Sequence, residues 1–287
     1  MWRVRAGACD HPTTVVPASP SLSAAVRIVW DVAVYRLRKR EAGNLATSLT
    51  LAWALCTPVG SLAVRAVFGV VLNLLVYLVN DCFDVAIDLA APGRDTERTR
   101  FLAANLRAAW GAVAVMAVGL VVGGLVAGGG LALTAVVNIA VIFAYSRVLK
   151  HRALWDLAAM GLWGVTMAMV GFDPADPRGW RLAALLGLLS MVTEAVQVLR
   201  DQPSDAAAGV RTTAVVLGVG TTAAVARVIV LGAAGYAAWA VHPAGAVLAL
   251  GALVTLTPAA ANRSWDQLRV LFGATWLGLM ALVRWGG

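Results

Sequence analysis

The sequence predicts an all-α integral membrane protein, with nine transmembrane helices bundled around a central cavity and an interfacial amphipathic helix in front of them. Three observations lead there. Of 287 residues, 60% are hydrophobic and only 13% charged, with a mean hydropathy of +0.80. A soluble domain carries about a quarter charged residues, so this chain has too few to cover a water-facing surface. The apolar residues fall into nine runs, each near the ~20 residues a helix needs to cross a bilayer. Finally, one acid-rich motif closes the second run and another closes the sixth, which suggests two four-helix halves facing each other plus one extra helix. Helices are favoured over barrel strands, whose alternation leaves a far weaker hydropathy signal.

Residues 1–25 mix Pro12, Pro17 and Pro20 with Ser, Thr and small residues. Without the apolar core of a signal peptide, they read as a flexible cytoplasmic tail. Residues 26–42 combine Ile28, Val29, Trp30, Val32, Tyr35 and Leu37 with Arg27, Arg36, Arg38, Lys39 and Arg40. That mixture predicts a basic amphipathic helix at the membrane surface, against anionic headgroups. Residues 43–287 form the membrane domain, with spans at 43–58, 62–80, 101–126, 131–145, 154–171, 182–198, 215–239, 245–261 and 268–282. Abundant Gly and Ala let such helices approach closely in lipid. Gly123-Gly124 and Gly128-Gly129-Gly130 mark a turn between the third and fourth spans.

The loops set orientation. With a cytoplasmic N-terminus, the tail and the even connections share one side and hold Arg94, Arg98, Arg100, Arg107, Arg147, Lys150, Arg152, Arg200, Arg211, Arg263 and Arg269. The opposite side holds only Arg65, Arg178, Arg181 and Arg284, together with Asp173 and Asp176. The positive-inside rule therefore predicts a cytoplasmic N-terminus and a C-terminus on the other side, with both acidic motifs at the cytoplasmic face. The same rule accounts for the net charge of +8, and no basic stripe with interleaved aromatics suggests nucleic acid. Nothing points to an obligate protein partner. Cys9, Cys56 and Cys82 have no metal-binding or disulfide spacing, and His11, His151 and His242 are scattered.

Asp81, Asp84 and Asp88 lie three and four apart, on one helix face, with Asn80 beside them; Asp201 and Asp205 repeat the pattern four apart. Carboxylates at a helix C-terminus meet the negative end of the helix dipole, a poor choice for stability alone. Gathered in one space they repel unless cations sit among them, and all-oxygen ligands point to Mg²⁺ sharing its coordination with a substrate phosphate. Asn80 would add a neutral oxygen or orient a carboxylate. Arg94, Arg147, Lys150 and Arg211 could hold the remaining phosphate oxygens. A diphosphate at the mouth of an apolar cavity implies a prenyl diphosphate, whose departure would leave an allylic cation beside Tyr145, Phe83 or Trp163.

These residues also carry a family signature. Asn80–Asp88 reads N-D-x-x-D-x-x-x-D, and Arg200–Gly218 reads R-D-x-x-x-D-x-x-x-G-V-R-T-x-x-V-x-L-G. With Tyr145-Ser146-x-x-Leu149-Lys150 and Asp156, they resemble the UbiA superfamily of membrane prenyltransferases from about Arg36 onward. The resemblance implies a nine-helix bundle, a central cavity open laterally to lipid, and two Mg²⁺ ions. It makes Asn80, Asp81, Asp84, Asp88, Asp201 and Asp205 the metal residues, with Asp84, Asp88, Asp201 and Asp205 catalytic. Lys150, Arg94 and Arg211 match basic positions associated with the diphosphate. The chain departs from the family at Arg94-Asp95-Thr96-Glu97-Arg98, where R-P-x-P-x-G is frequent, and at Thr212-Thr213-Ala214, where T-L-P is frequent. Those departures weaken assignment to a quinone or chlorophyll subfamily.

Gln197 and Glu194 lie one and two turns above Asp201, and a carboxylate inside a span is costly enough to suggest a function in orienting an acceptor or taking up a proton. Asn44, at the start of the first span, joins Tyr145, Glu194 and Gln197 as a candidate substrate contact. The expected reaction is transfer of a prenyl group from its diphosphate to a small aromatic acceptor. The alternative is a UbiA-type terpene cyclase, in which the prenyl chain traps its own cation. An ion-coupled transporter would place its acidic residues near the bilayer midplane instead.

Overall fold

The computed structural model describes residues 22–39, 43–90 and 96–286. Most of the expected tail, Arg40 and Arg94 therefore lie outside the described residues. Ten α-helices follow in chain order: α1 (Leu22–Arg38), α2 (Gly43–Ala54), α3 (Val59–Ala90), α4 (Glu97–Ala104), α5 (Leu106–Ala127), α6 (Leu131–Arg147), α7 (Trp155–Ala168), α8 (Pro177–Ala207), α9 (Thr213–Ala240) and α10 (Ala261–Trp285). The described residues contain no strand. Six helices, from α3, α5, α6, α8, α9 and α10, are long and apolar enough to cross a membrane.

Local chemistry explains several boundaries. Thr96 caps α4, its hydroxyl accepting from the Thr99 backbone N–H at 3.2 Å. Asp176 caps α8 by accepting from the Arg178 N–H at 2.9 Å, with Pro177 supplying the fixed φ of a first helical residue. Gly218 interrupts α9 with φ 79° and ψ 164°, a conformation open to glycine alone.

Two expected spans are built differently. The third is two helices, α4 and α5, broken at Asn105, whose side chain donates back to the Phe101 carbonyl and competes with the backbone ladder. The eighth is no α-helix: after the His242 cap it winds as a 3₁₀ segment over Pro243–Leu253 and reaches α10 through a second short turn, Pro258–Ala260. The expected surface helix begins earlier than residue 26, at Leu22, and turns Ala24, Ile28 and Val32 into the bundle.

The apolar side chains form two cores. One gathers α1, α3, α5 and α6; the other gathers α8, α9, α10 and the 3₁₀ segment, with α2 packed into it through Leu51 and Ala54. Helix α7 contributes to both, Trp163 and Met167 on one side and Leu157 and Ala168 on the other. Its contact with α8 is close because Gly161, Gly164 and Gly187 are small: a Cβ at Gly164 would lie 2.3 Å from Ser190 Oγ. One polar pair crosses the bundle interior between α6 and α7. Thr166 Oγ1 and Asn138 Oδ1 lie 2.9 Å apart, and Asn138 also donates to the Thr166 carbonyl. Arg65, read from the sequence as an outer-side charge, is buried and donates to the carbonyls of Val170 at 2.7 Å and Phe172 at 3.2 Å, tying α3 to the 3₁₀ turn that follows α7.

Candidate active site

The two longest helices, α3 and α8, each end in an acidic motif, and both motifs open onto one cavity of about 1650 Å³. Asn80, Asp81, Asp84 and Asp88 line it from α3; Asp201 and Asp205 line it from α8. The cavity thus brings together residues more than a hundred positions apart. Above the acidic rim the wall becomes apolar and aromatic, with Val141, Ile142, Met160, Trp163, Leu186 and Leu189.

Each carboxylate has a defined environment. Asp84 accepts from Asn80 Nδ2 at 3.0 Å and is ion-paired with Lys150. Asn80 thus donates to a carboxylate of its own motif. Asp81 is nearly buried and accepts from two guanidiniums, Arg36 at 2.6 Å on Oδ1 and Arg98 at 2.8 Å on Oδ2. Asp201 receives both Nε and Nη2 of Arg200, at 2.8 and 3.0 Å, and Asp205 lies 3.4 Å from the Thr212 hydroxyl. Among the described residues, no three His, Cys, Asp or Glu side chains are gathered tightly enough to hold a metal by themselves. An oxygen-rich rim in two separate parts suits a cation that takes one or two carboxylates and fills its remaining positions with substrate oxygens and water.

The second motif is held by a buried anchor. Asp156, at the start of α7, accepts from the Thr213 backbone N–H at 2.7 Å and from its hydroxyl. It thereby caps α9, and Thr213 Oγ1 in turn accepts from the Leu154 N–H at 2.6 Å. That clasp fixes the loop joining Asp205 to α9.

Glu194 is buried on the cavity wall, where Tyr145 donates its phenolic hydrogen to Oε1 at 3.0 Å. Gln197 and Asn44 also line the cavity. Arg147 and Arg211 do not: both are exposed and face away. Arg147 sits two residues from the cavity-lining Tyr145 on one helix, which turns it to the opposite side. Arg211 lies between cavity-lining Val210 and Thr212 in non-helical chain and is itself exposed. Phe83 is likewise absent from the cavity wall; it stacks edge-on against Trp110 and Phe143, with ring centres 5.4 and 5.9 Å away. The spacing of the acidic motifs gives no sign of Arg36 and Arg98, because both arginines read as ordinary positive-inside residues until α1 and α4 fold against α3.

The comparisons bear on this geometry. The sequence matches the UbiA prenyltransferase family over residues 42–271. No curated protein sequence matches. Among solved structures, a UbiA homologue from Archaeoglobus fulgidus bound to GPP and Mg²⁺ is similar, with a TM-score of 0.63 at 14% identity over 90% of this chain and 99% of that one. The same homologue bound to DMAPP and Mg²⁺ gives 0.62 at 14% identity, with the same coverage. The fold, the paired acidic motifs and the extent of the match agree: the chain belongs to the UbiA prenyltransferase family.

Proposed function

We propose that this chain is an intramembrane prenyltransferase, which binds a prenyl diphosphate with Mg²⁺ at the acidic end of the cavity and passes the prenyl group to a small aromatic acceptor. The observation that carries this reading is the single cavity joining the acidic ends of α3 and α8 to an apolar interior. The relatives bound to GPP or DMAPP with Mg²⁺ support the same substrate class.

In this reading Asn80, Asp84, Asp88, Asp201 and Asp205 hold two Mg²⁺ ions, to which Asp81 contributes charge or position. When bound, Mg²⁺ supplies positive charge that stabilises a departing diphosphate. The chain's own groups do the rest. Lys150, paired with Asp84 at the rim, is the phosphate-binding cation nearest the first motif. Arg94 joins it through its place after that motif. Arg147 and Arg211 belong to the basic cytoplasmic face. Tyr145 and Trp163 offer π faces to the positive charge developing on the prenyl group. The apolar wall keeps water from capturing it, and Glu194, Gln197 and Asn44 line the space left for the acceptor. All nine apolar segments cross the bilayer, the eighth in its 3₁₀ form, with the N-terminus and the cavity mouth cytoplasmic and α1 along the membrane surface.

The test is incubation of the purified chain with geranyl diphosphate and Mg²⁺, with and without a hydroxyarene. A prenylated arene is the expected product. A cyclic hydrocarbon or alcohol formed without acceptor would establish the cyclase instead, and no Mg²⁺-dependent consumption in either arm would end the prenyl-diphosphate reading.

A further inference from the structure

Asp81 shares its stripe with Asp84 and Asp88 but not their surroundings. It is 5% exposed, and each of its oxygens accepts from a different guanidinium. Arg36 comes from α1 and Arg98 from α4, and both line the cavity. Each is stacked on an aromatic face: Arg36 lies 4.1 Å from the centre of the Tyr77 ring and Arg98 4.2 Å from that of Tyr35. A further tie joins the same elements, Arg27 of α1 reaching Glu97 of α4 at 3.0 Å and lying over Phe101. Helix α1 precedes residue 42, where the family match begins.

Two guanidiniums therefore meet one buried carboxylate, at the mouth of a cavity whose other carboxylates sit nearby. A metal on Asp81 would have to compete with both arginines for a buried anion. We infer that Asp81 is a positioning residue and not a metal carboxylate: it fixes Arg36 and Arg98 at the cavity mouth, where they bind the diphosphate of the substrate. Helix α1, outside the family-matched segment, thus supplies part of the substrate site. The planar fork of a guanidinium suits phosphate oxygens, and its stacking on Tyr77 or Tyr35 fixes the plane of that fork.

This inference rests on the prenyl-diphosphate reading, and the experiment separates the two. The full chain in lipid nanodiscs is titrated with geranyl diphosphate at saturating Mg²⁺, then with Mg²⁺ at geranyl diphosphate well above each variant's Kd. Arg36→Gln, Arg98→Gln and Asp81→Asn are each expected to raise the Kd for geranyl diphosphate about tenfold. The Mg²⁺ half-saturation should move little in these three, whereas Asp84→Asn should raise it. In the Arg36→Gln/Arg98→Gln background, Asp81→Asn should add nothing further, since it acts through the arginines. An equal shift in Mg²⁺ half-saturation for Asp81→Asn and Asp84→Asn would make Asp81 a metal carboxylate and overturn the inference. So would wild-type affinity for geranyl diphosphate in both arginine variants. If a Gln variant does not purify folded, Arg36→Lys and Arg98→Lys carry the test: intermediate affinity supports the inference, and wild-type affinity in both overturns it. Absence of Mg²⁺-dependent binding by the wild type would overturn the prenyl-diphosphate reading and this inference with it, whereas wild-type binding with indifferent variants overturns this inference alone.

Discussion

Asp84 is held from two sides, since Asn80 donates to it from the preceding turn and Lys150 reaches it from the segment after α6. Asp201, its counterpart on α8, is held by both nitrogens of one side of the Arg200 fork. Each is half-buried at the end of a helix whose interior packs without it, so removal should spare the fold. Asp84→Ala and Asp201→Ala are each expected to lower the rate of prenyl diphosphate consumption by about a thousandfold, the scale of losing a preorganised electrostatic contact, while the protein still inserts and elutes as a folded species. Wild-type rates in either variant would remove that residue from the reaction. Tyr145→Phe tests a different kind of contact: it deletes the donor to buried Glu194 and should destabilise the protein by about 1–3 kcal/mol in thermal unfolding. The acidic residues were legible from spacing because i, i+3 and i+4 positions share a helix face wherever that helix sits. Arg36 and Arg98 were not, because nothing in their local sequence says which carboxylate they will meet.

Among the elements, α9 shows how one backbone conformation shapes the site. Its first turn is clasped by Asp156 and its fifth position beyond Thr213 is Gly218, at φ 79°. No atom crowds a Cβ there, so Gly218→Ala tests conformation alone and should cost about 1–3 kcal/mol, read as a lower midpoint of thermal unfolding. The cap of α8 gives a pH-dependent counterpart. The Arg178 hydrogen bond holds the Asp176 carboxyl below the usual carboxylate range. A carboxylate depressed in the folded state contributes stability above its unfolded value, and the contribution disappears as pH falls through the lowered folded one. Asp176→Ala should therefore cost about 1 kcal/mol near neutral pH, and the gap from wild type should close in strong acid. Hydropathy located these helices well where runs were long. It merged α4 with α5 and gave no sign that the eighth segment winds as 3₁₀ over Pro243–Leu253, because average apolarity does not register one side chain that bonds back to the backbone or a tighter winding.

In the whole molecule, two cores with α7 shared between them carry the two acidic motifs to a common mouth. Because the carboxylates come from separate cores, a divalent cation between them should act as a staple as well as a reagent. Chelation of Mg²⁺ is expected to abolish binding of geranyl diphosphate and re-addition to restore it, measured by equilibrium titration; binding that survives chelation would refute the metal requirement. The sequence by itself determined the membrane class, the acid-rich motifs and the family signature, since composition, hydropathy and i, i+3, i+4 spacing are local properties that survive without coordinates. Only the tertiary structure decided which charges meet: Asp81 with Arg36 and Arg98, Tyr145 with Glu194, and Asp156 with Thr213. Pairing across helices depends on how each rotates and packs against its neighbours, and no local pattern encodes that rotation.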